Sequence, residues 1–309
     1  MNKAFDVVAL GEAMVEFNQT RPTEAQYLQG FGGDTSNAVI AAARAGARTA
    51  YLTRLGDDIF GQALLQLWRT EGVDTSGVDA APDEPTGIYF VTHDGNGHAF
   101  TYRRAGSAAS RMTPQWLEAG RANAILQQTS FLHVSGISMA ISQSACASVL
   151  GAMRIARAAG AQVAFDSNLR LKLWPARAAR AAMAQAVALS DIFLPSLEDM
   201  TALCGLDDPG QVLDWGHAHG ARSIALKLGA NGALVSDGSE RRHLAGHAVA
   251  RVDATGAGDC FCGNLLARMA AGDAIFEAAR YANAASALAV QGYGAVAPLP
   301  RPQAVRAML

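Results

Sequence analysis

Charge is scarce in this sequence and evenly split. The 309 residues hold 25 Lys and Arg against 27 Asp and Glu, a formal net charge of −2, and no basic block stands anywhere along the chain. Nucleic acids and anionic membrane surfaces are bound through clustered cations, so neither is an expected partner. Long apolar runs are missing too. The Ala-rich stretches at 176–189 and 278–291 are interrupted by Arg, Gln, Asn or Tyr, which argues against a membrane span. The opening residues, Met1-Asn2-Lys3-Ala4-Phe5-Asp6, show no h-region of a secretion signal. Cysteine is rare: Cys146, Cys204, Cys260 and Cys262 follow no disulfide framework, and Cys260-x-Cys262 lacks the partner ligands of a zinc site. Small buried thiols in a reducing cytoplasm are the expectation.

Two phosphate-binding signatures are absent as well. No G-x-x-x-x-G-K-[ST] occurs, which excludes a P-loop enzyme, and Leu10-Gly11-Glu12-Ala13 continues without the glycines of a dinucleotide fingerprint.

What is present is an alternation. Half of the residues are hydrophobic, enough for one large core. Strand-like segments at 6–10, 50–55, 131–134, 162–165, 192–194 and 223–228 alternate with helix-like segments at 35–45, 60–71, 143–159, 176–189, 258–271 and 275–290. This rhythm predicts a mainly parallel sheet with helices on both faces. Two places break it. Gly87–His93 and His98–Arg104 flank Asp94-Gly95-Asn96-Gly97, and Asn-Gly is the type I′ hairpin signature. Met14–Phe17 and Gln26–Phe31 form a second extended pair. We therefore expect one α/β domain over residues 1–309, with a small β lid built from insertions near 13–32 and 86–106.

The segment richest in chemistry is Asp253-Ala254-Thr255-Gly256-Ala257-Gly258-Asp259. It is expected to follow a strand at Ala245–Val252 and to open a helix at Cys260–Ala271. Small residues let the backbone come close to a ligand, and a helix N-terminus offers unpaired N–H groups and the positive end of a dipole. Together they make an anion hole for a transferring phosphoryl group. Asp259 stands where it can take a proton from a hydroxyl held opposite that phosphate. The helix end should lower its pKa, and a weak but well-placed base suffices when the proton leaves late.

This string resembles the C-terminal signature of the ribokinase/PfkB carbohydrate kinases. Gly32-Gly33-Asp34-Thr35-Ser36-Asn37 resembles that family's sugar-holding element, and Lys227-Leu228-Gly229-Ala230-Asn231-Gly232 its nucleotide-side turn. The resemblance implies a ribokinase-like three-layer α/β/α sandwich that uses ATP and Mg2+, and it leaves open a monovalent cation such as K+. Asp259 would be the base and Gly256, Ala257 and Gly258 the anion hole. Asn168, Lys227, Gly229, Gly232 and Asn283 would lie on the ATP side. The family's Asn-x-x-Glu element, which organises Mg2+, is not intact: Pro195-Ser196-Leu197-Glu198-Asp199 offers Glu198 or Asp199 instead. Lids of this family often pair, so a homo-oligomer through the lid is a further expectation.

Within the family, the chain resembles the 2-keto-3-deoxygluconate kinases. The matching residues are Gly33, Asp34, Asn37, Tyr89, the Tyr102-Arg103-Arg104 string, and Asp166-Ser167-Asn168-Leu169-Arg170. A sugar acid needs cations for its carboxylate, and Arg104 and Arg170 would form a forked clamp. Two alternatives stand beside this reading: a kinase for an uncharged sugar or nucleoside, which would leave both arginines without a ligand carboxylate, and a non-catalytic sugar-binding regulator.

Overall fold

The structure is a computed structural model that describes residues 3–21, 24–94, 97–118 and 120–309. The strands among the described residues are β1 (Phe5–Leu10), β2 (Met14–Gln19), β3 (Tyr27–Gly32), β4 (Thr49–Gly56), β5 (Val73–Asp74), β6 (Val78–Ala81) and β7 (Ile88–Asp94). They continue as β8 (Gly97–Arg103), β9 (Thr129–Ser135), β10 (Gln162–Asp166), β11 (Ile192–Leu194), β12 (Ser223–Lys227), β13 (Ala233–Ser236) and β14 (Arg241–Leu244). The large sheet runs β14-β13-β12-β11-β10-β9-β1-β4-β5, with β6 also on β4. Every pair from β12 to β5 is parallel, and only β13 and β14 return antiparallel.

Alternation along each strand sorts side chains into two cores. Val8 and Leu10 of β1, Leu132 and Val134 of β9, and Phe165 of β10 face one layer of helices. Val7 and Phe131 face the other, and so does Ala9. Both faces of the sheet are thus covered, which is what near-continuous apolar strands require. Phe165 and Phe193 are fully buried and stack with ring centroids 6.0 Å apart. Burying each such side chain contributes about 1.5–3 kcal/mol. No helix among the described residues is long and apolar enough to cross a membrane.

The chain travels from β1 outward through β4, then returns to place β9 on the other side of β1. The strand order reverses there, and an open parallel sheet offers a crevice at the carboxyl ends beside such a reversal. A second sheet, β3-β2-β7-β8, is built from the two expected insertions. The hairpin β7–β8 is antiparallel in the register His93↔His98. Of the expected turn Asp94-Gly95-Asn96-Gly97, Gly95 and Asn96 lie outside the described residues. The join between the two insertions was not expected: β2 pairs β7 in parallel, Val15↔Ile88 to Asn18↔Val91. Phe17 anchors this sheet on the body, packing edge-on to Phe60 at 5.8 Å and stacked on Phe90 at 5.4 Å.

One expectation fails. Residues 245–252 form no strand. Beyond β14 the backbone takes its hydrogen bonds from elsewhere: Asn283 Nδ2 donates to Ala245 O at 2.7 Å, and the Val252 and Asp253 N–H groups both reach Val290 O. Gly246 lies so near Ala230 O that a Cβ there would stand 2.0 Å from it. The segment is an irregular arm held against the body, and the signature string opens its helix directly from that arm.

Candidate active site

Gly256 is the N-cap of the helix Ala257–Ala270, in the left-handed conformation at φ 76°, and no side chain caps this end. A Cβ on Gly256 would lie 2.9 Å from Ala295, so both the dihedral and the contact demand glycine. Asp253 staples the preceding turn: its Oδ1 accepts from Thr255 N at 2.9 Å and Thr255 Oγ1 at 2.7 Å, and its Oδ2 accepts from Gly294 N at 2.9 Å. Asp253 thus fixes the turn that opens the helix, and a helix N-terminus of this kind suits an anion. At Gly258 a Cβ would meet only Lys227, at an ordinary 3.6 Å from Nζ, which places the lysine ammonium beside the same helix end.

Asp259 lies in the first turn of this helix. Asn37 Nδ2 donates to its Oδ2 at 2.8 Å. Its pKa is pushed up to about 7, chiefly by burial and then by the negative charge of Asp34, with the Asn37 bond opposing. This corrects the expectation of a lowered value. The helix end is real, but loss of water and a neighbouring carboxylate outweigh it. Asp34 is itself raised, first by burial, with Ser135 opposing and Asp166 adding like charge.

Gly33, at φ 113°, begins the helix Asp34–Arg44, and a Cβ there would stand 2.5 Å from Glu12 O. Its glycine is needed by the fold, whatever it does for a ligand. Asp34 and Asn37 are buried in this helix. Lys227 Nζ donates to Asp166 Oδ1 at 2.8 Å and lies 3.7 Å from Cys262 Sγ. Burial alone would lower the lysine, but Asp166 and Cys262 raise it, so it stays charged. Asn168, expected on the nucleotide side, donates from Nδ2 to Asp34 Oδ2 at 2.9 Å.

The two candidate clamp arginines differ. Arg170 is exposed, bonds Leu169 O at 2.8 Å, and its charge acts on Asp34. Arg104 is ion-paired to Glu12, whose side chain is fully buried. Arg104 thus already meets a carboxylate inside the protein. Tyr89 is buried, its OH donating to Glu16 Oε2 at 2.5 Å, while Tyr102 is 42% exposed and stacks on it at 5.6 Å. Sequence reasoning missed Glu12 and Glu16, and gave Asp166 no role beyond its place in a matching string. The signal was available: acids in apolar segments at strand ends must be paired once buried. His133 is buried with no hydrogen bond at Nδ1, and burial lowers its pKa to about 4.

Of the residues expected on the nucleotide side, Gly229 takes φ 59° with open space where a Cβ would stand. Gly232, at φ 88°, is closed in, since a Cβ would be 2.0 Å from Leu244 O. Asn283 is spent on Ala245 O. Glu198 is exposed. Its neighbour Asp199 accepts from Ser167 Oγ at 2.7 Å and acts electrostatically on Lys227. Among the described residues no group of three or more His, Cys, Asp or Glu could hold a metal unaided. Mg2+ asks for less, since it is commonly held by one or two carboxylates together with substrate phosphates, and Glu198 and Asp199 are the candidates for that role. A cleft of about 1000 Å³ runs between the small sheet and the 252–255 and 293–297 segments, reaching Glu16, Asn18, Phe100 and Thr255.

Comparisons with known proteins point to one family. The family described as pfkB family carbohydrate kinase matches residues 4–302. A 2-dehydro-3-deoxygluconokinase of Thermoproteus tenax is 35% identical over 98% of this chain and 94% of its own. A Ribokinase II-type protein of E. coli, solved with ATP and Mg2+, superposes with a TM-score of 0.90 at 26% identity, covering 100% of this chain and 99% of that one. A fructokinase of Vibrio cholerae, solved with fructose, ADP and calcium, gives 0.87 at 30% identity over 98% of each chain.

Proposed function

The chain belongs to the pfkB family of carbohydrate kinases, phosphotransferases with an alcohol group as acceptor, and within that family we propose that it phosphorylates the primary hydroxyl of 2-keto-3-deoxygluconate, giving the 6-phosphate. The observation that carries the chemistry is Asp259, oriented by Asn37 at the mouth of a helix that no side chain caps. The acceptor hydroxyl would stand between Asp259 and the γ-phosphate. Asp259 takes the proton as the O–P bond forms, while the first-turn N–H groups and Lys227 meet the negative charge on the transferring group. Mg2+ near Asp199 and Glu198 would neutralise phosphate charge when bound. Gly229 offers room for the nucleotide, with Gly232 and Asn283 shaping the wall behind it.

The sugar-acid reading is supported by the 35% identity to a named 2-dehydro-3-deoxygluconokinase. Arg170 adds support as an exposed cation on the sugar side, with Tyr89 and Tyr102 on the facing sheet. A second reading, an uncharged ketose, draws on the fructokinase likeness and on Arg104, which Glu12 already engages. The non-catalytic alternative lacks any such support, since the base and the anion hole are intact. Leu28 and Phe100, exposed on the small sheet, also favour pairing of two copies through that sheet.

A coupled assay of ADP release over 2-keto-3-deoxygluconate, gluconate, fructose and ribose tests the proposal. The acid should give the highest kcat/KM by ten-fold or more. Preference for fructose or ribose would remove the sugar-acid reading and leave the kinase intact.

A further inference from the structure

Residues 291–300 form neither helix nor strand. Pro298 and Pro300 carry no N–H, and the turns close on long bonds, Gly292 N to Ala289 O at 3.4 Å and Leu299 N to Val296 O at 3.2 Å. Yet this stretch stands directly behind the helix end that carries Asp259. A Cβ on Gly256 would lie 2.9 Å from Ala295, and Gly294 N donates to Asp253 Oδ2 at 2.9 Å. What holds an irregular segment there is a side chain from another helix.

Arg44, in the last turn of the helix Asp34–Arg44, donates from Nη1 to Leu299 O at 2.7 Å and to Val296 O at 3.0 Å. Its Nε and Nη2 form a fork on Glu71, at 2.8 and 2.7 Å. The two side chains are only 11% and 10% exposed, and charges so far removed from water are tolerated only with geometry as good as this. A cation in a last turn can serve its own helix dipole. This one spends its fork on Glu71, the C-cap of the helix Ile59–Thr70, and its Nη1 on carbonyls 252 and 255 positions away. The first turn of the same helix already reaches the site, where Asn37 holds Asp259. Between these points Gly263 of the helix Ala257–Ala270 packs against it, since a Cβ there would meet Ala38 O and Ala41 Cβ.

We propose that Arg44 is a positioning residue for the phosphoryl-binding end of the helix Ala257–Ala270, acting through residues 294–299, with Glu71 aiming its guanidinium. Anion-hole donors raise the rate only when they are fixed before charge develops. The left-handed cap at Gly256 starts that helix, and Ala295 is the wall behind the cap. Arg44 holds the wall. Lysine cannot replace it, because a point charge does not fork on a carboxylate and span two carbonyls at once. The inference rests on the kinase reading for its anion and is indifferent to which sugar accepts the phosphate.

Arg44→Lys keeps the charge beside Glu71 and gives up the fork. Its kcat should fall about ten-fold or more, part of what loss of a whole oxyanion donor costs, while KM for the sugar and Kd for ATP stay within about three-fold of wild type. Hydrogen exchange without ligand should quicken about ten-fold at the bonded amides of Thr255, Cys260 and Gly294 and stay unchanged in β9 and β10. A role confined to stability would quicken the strands as well. Glu71→Gln keeps the shape and removes one charge, and it decides the matter if Arg44→Lys does not fold; kcat and the same three amides should shift in the same directions by about three-fold. An unchanged kcat in the folded variant, helix-end amides no faster than wild type, or strands that quicken equally would each overturn the inference. The exchange comparison also separates this failure from failure of the kinase reading, because it needs no substrate and decides even where wild type turns over no sugar.

Discussion

Asn37 donates to Asp259 across 2.8 Å, joining the first turns of two helices that lie 222 residues apart in sequence. The bond holds one carboxylate oxygen and leaves the other for a substrate proton. It also works against burial and Asp34, which together lift the Asp259 pKa to about 7. A base poised there is far better matched to neutral pH than an ordinary carboxylate.

Asp259→Asn keeps the shape and the Asn37 contact but removes the base. We expect kcat to fall by about three orders of magnitude or more, with ATP affinity little changed. Steady-state kinetics with a nucleotide-binding titration checks this. A variant that keeps more than a tenth of wild-type kcat would show that another group takes the proton.

The same substitution should change stability with a definite sign. The folded pKa of about 7 lies above the ordinary 3.8, so between these values the folded protein holds a proton that the unfolded chain has released. Stability from this group is present in acid and is lost as pH rises through that window. Asp259→Asn carries no such loss. Its melting temperature should exceed that of wild type at pH 8, and the gap should narrow toward pH 5. A gap that is constant with pH would mean that Asp259 titrates normally.

The paired glycines separate fold from chemistry. Gly258→Ala adds a methyl with only ordinary contacts to Lys227, so melting should hardly move. Turnover should drop by about 10²-fold, because the methyl enters the space of the phosphoryl group and disturbs its N–H donors. Gly256→Ala forces a strained dihedral and a 2.9 Å contact with Ala295. It should cost about 1–3 kcal/mol of stability. Equal melting of the two variants would contradict this division.

Arg170 and Arg104 should respond differently to truncation. Arg170→Ala should cost about 2–4 kcal/mol in kcat/KM for the sugar acid, or about 30- to 1,000-fold, and far less for a neutral ketose. Arg104→Ala leaves Glu12 buried without its cation and should destabilise by about 3–5 kcal/mol. Thermal melts and a two-substrate comparison check both. Parallel losses on acid and ketose in Arg170→Ala would remove that arginine from carboxylate recognition.

The alternation of apolar segments was enough to place the parallel sheet, because strand and helix periodicities are local and each side chain carries its own signal. The 253–259 string likewise announced its helix end and the acid in its first turn, since both follow from local residues. Residues 245–252 misled for the same reason: their composition suits a strand, yet no neighbouring edge accepts their hydrogen bonds, and Val290 and Asn283 take some of them instead. Arg104 and Arg170 look equivalent in sequence and are not, because Glu12 reaches only one of them. The proton affinity of Asp259 and the attachment of Asn168 to Asp34 were decided by groups 222 to 225 and 134 positions away. Burial, charge and hydrogen-bond partners belong to the folded neighbourhood, and only the tertiary structure brings that neighbourhood together.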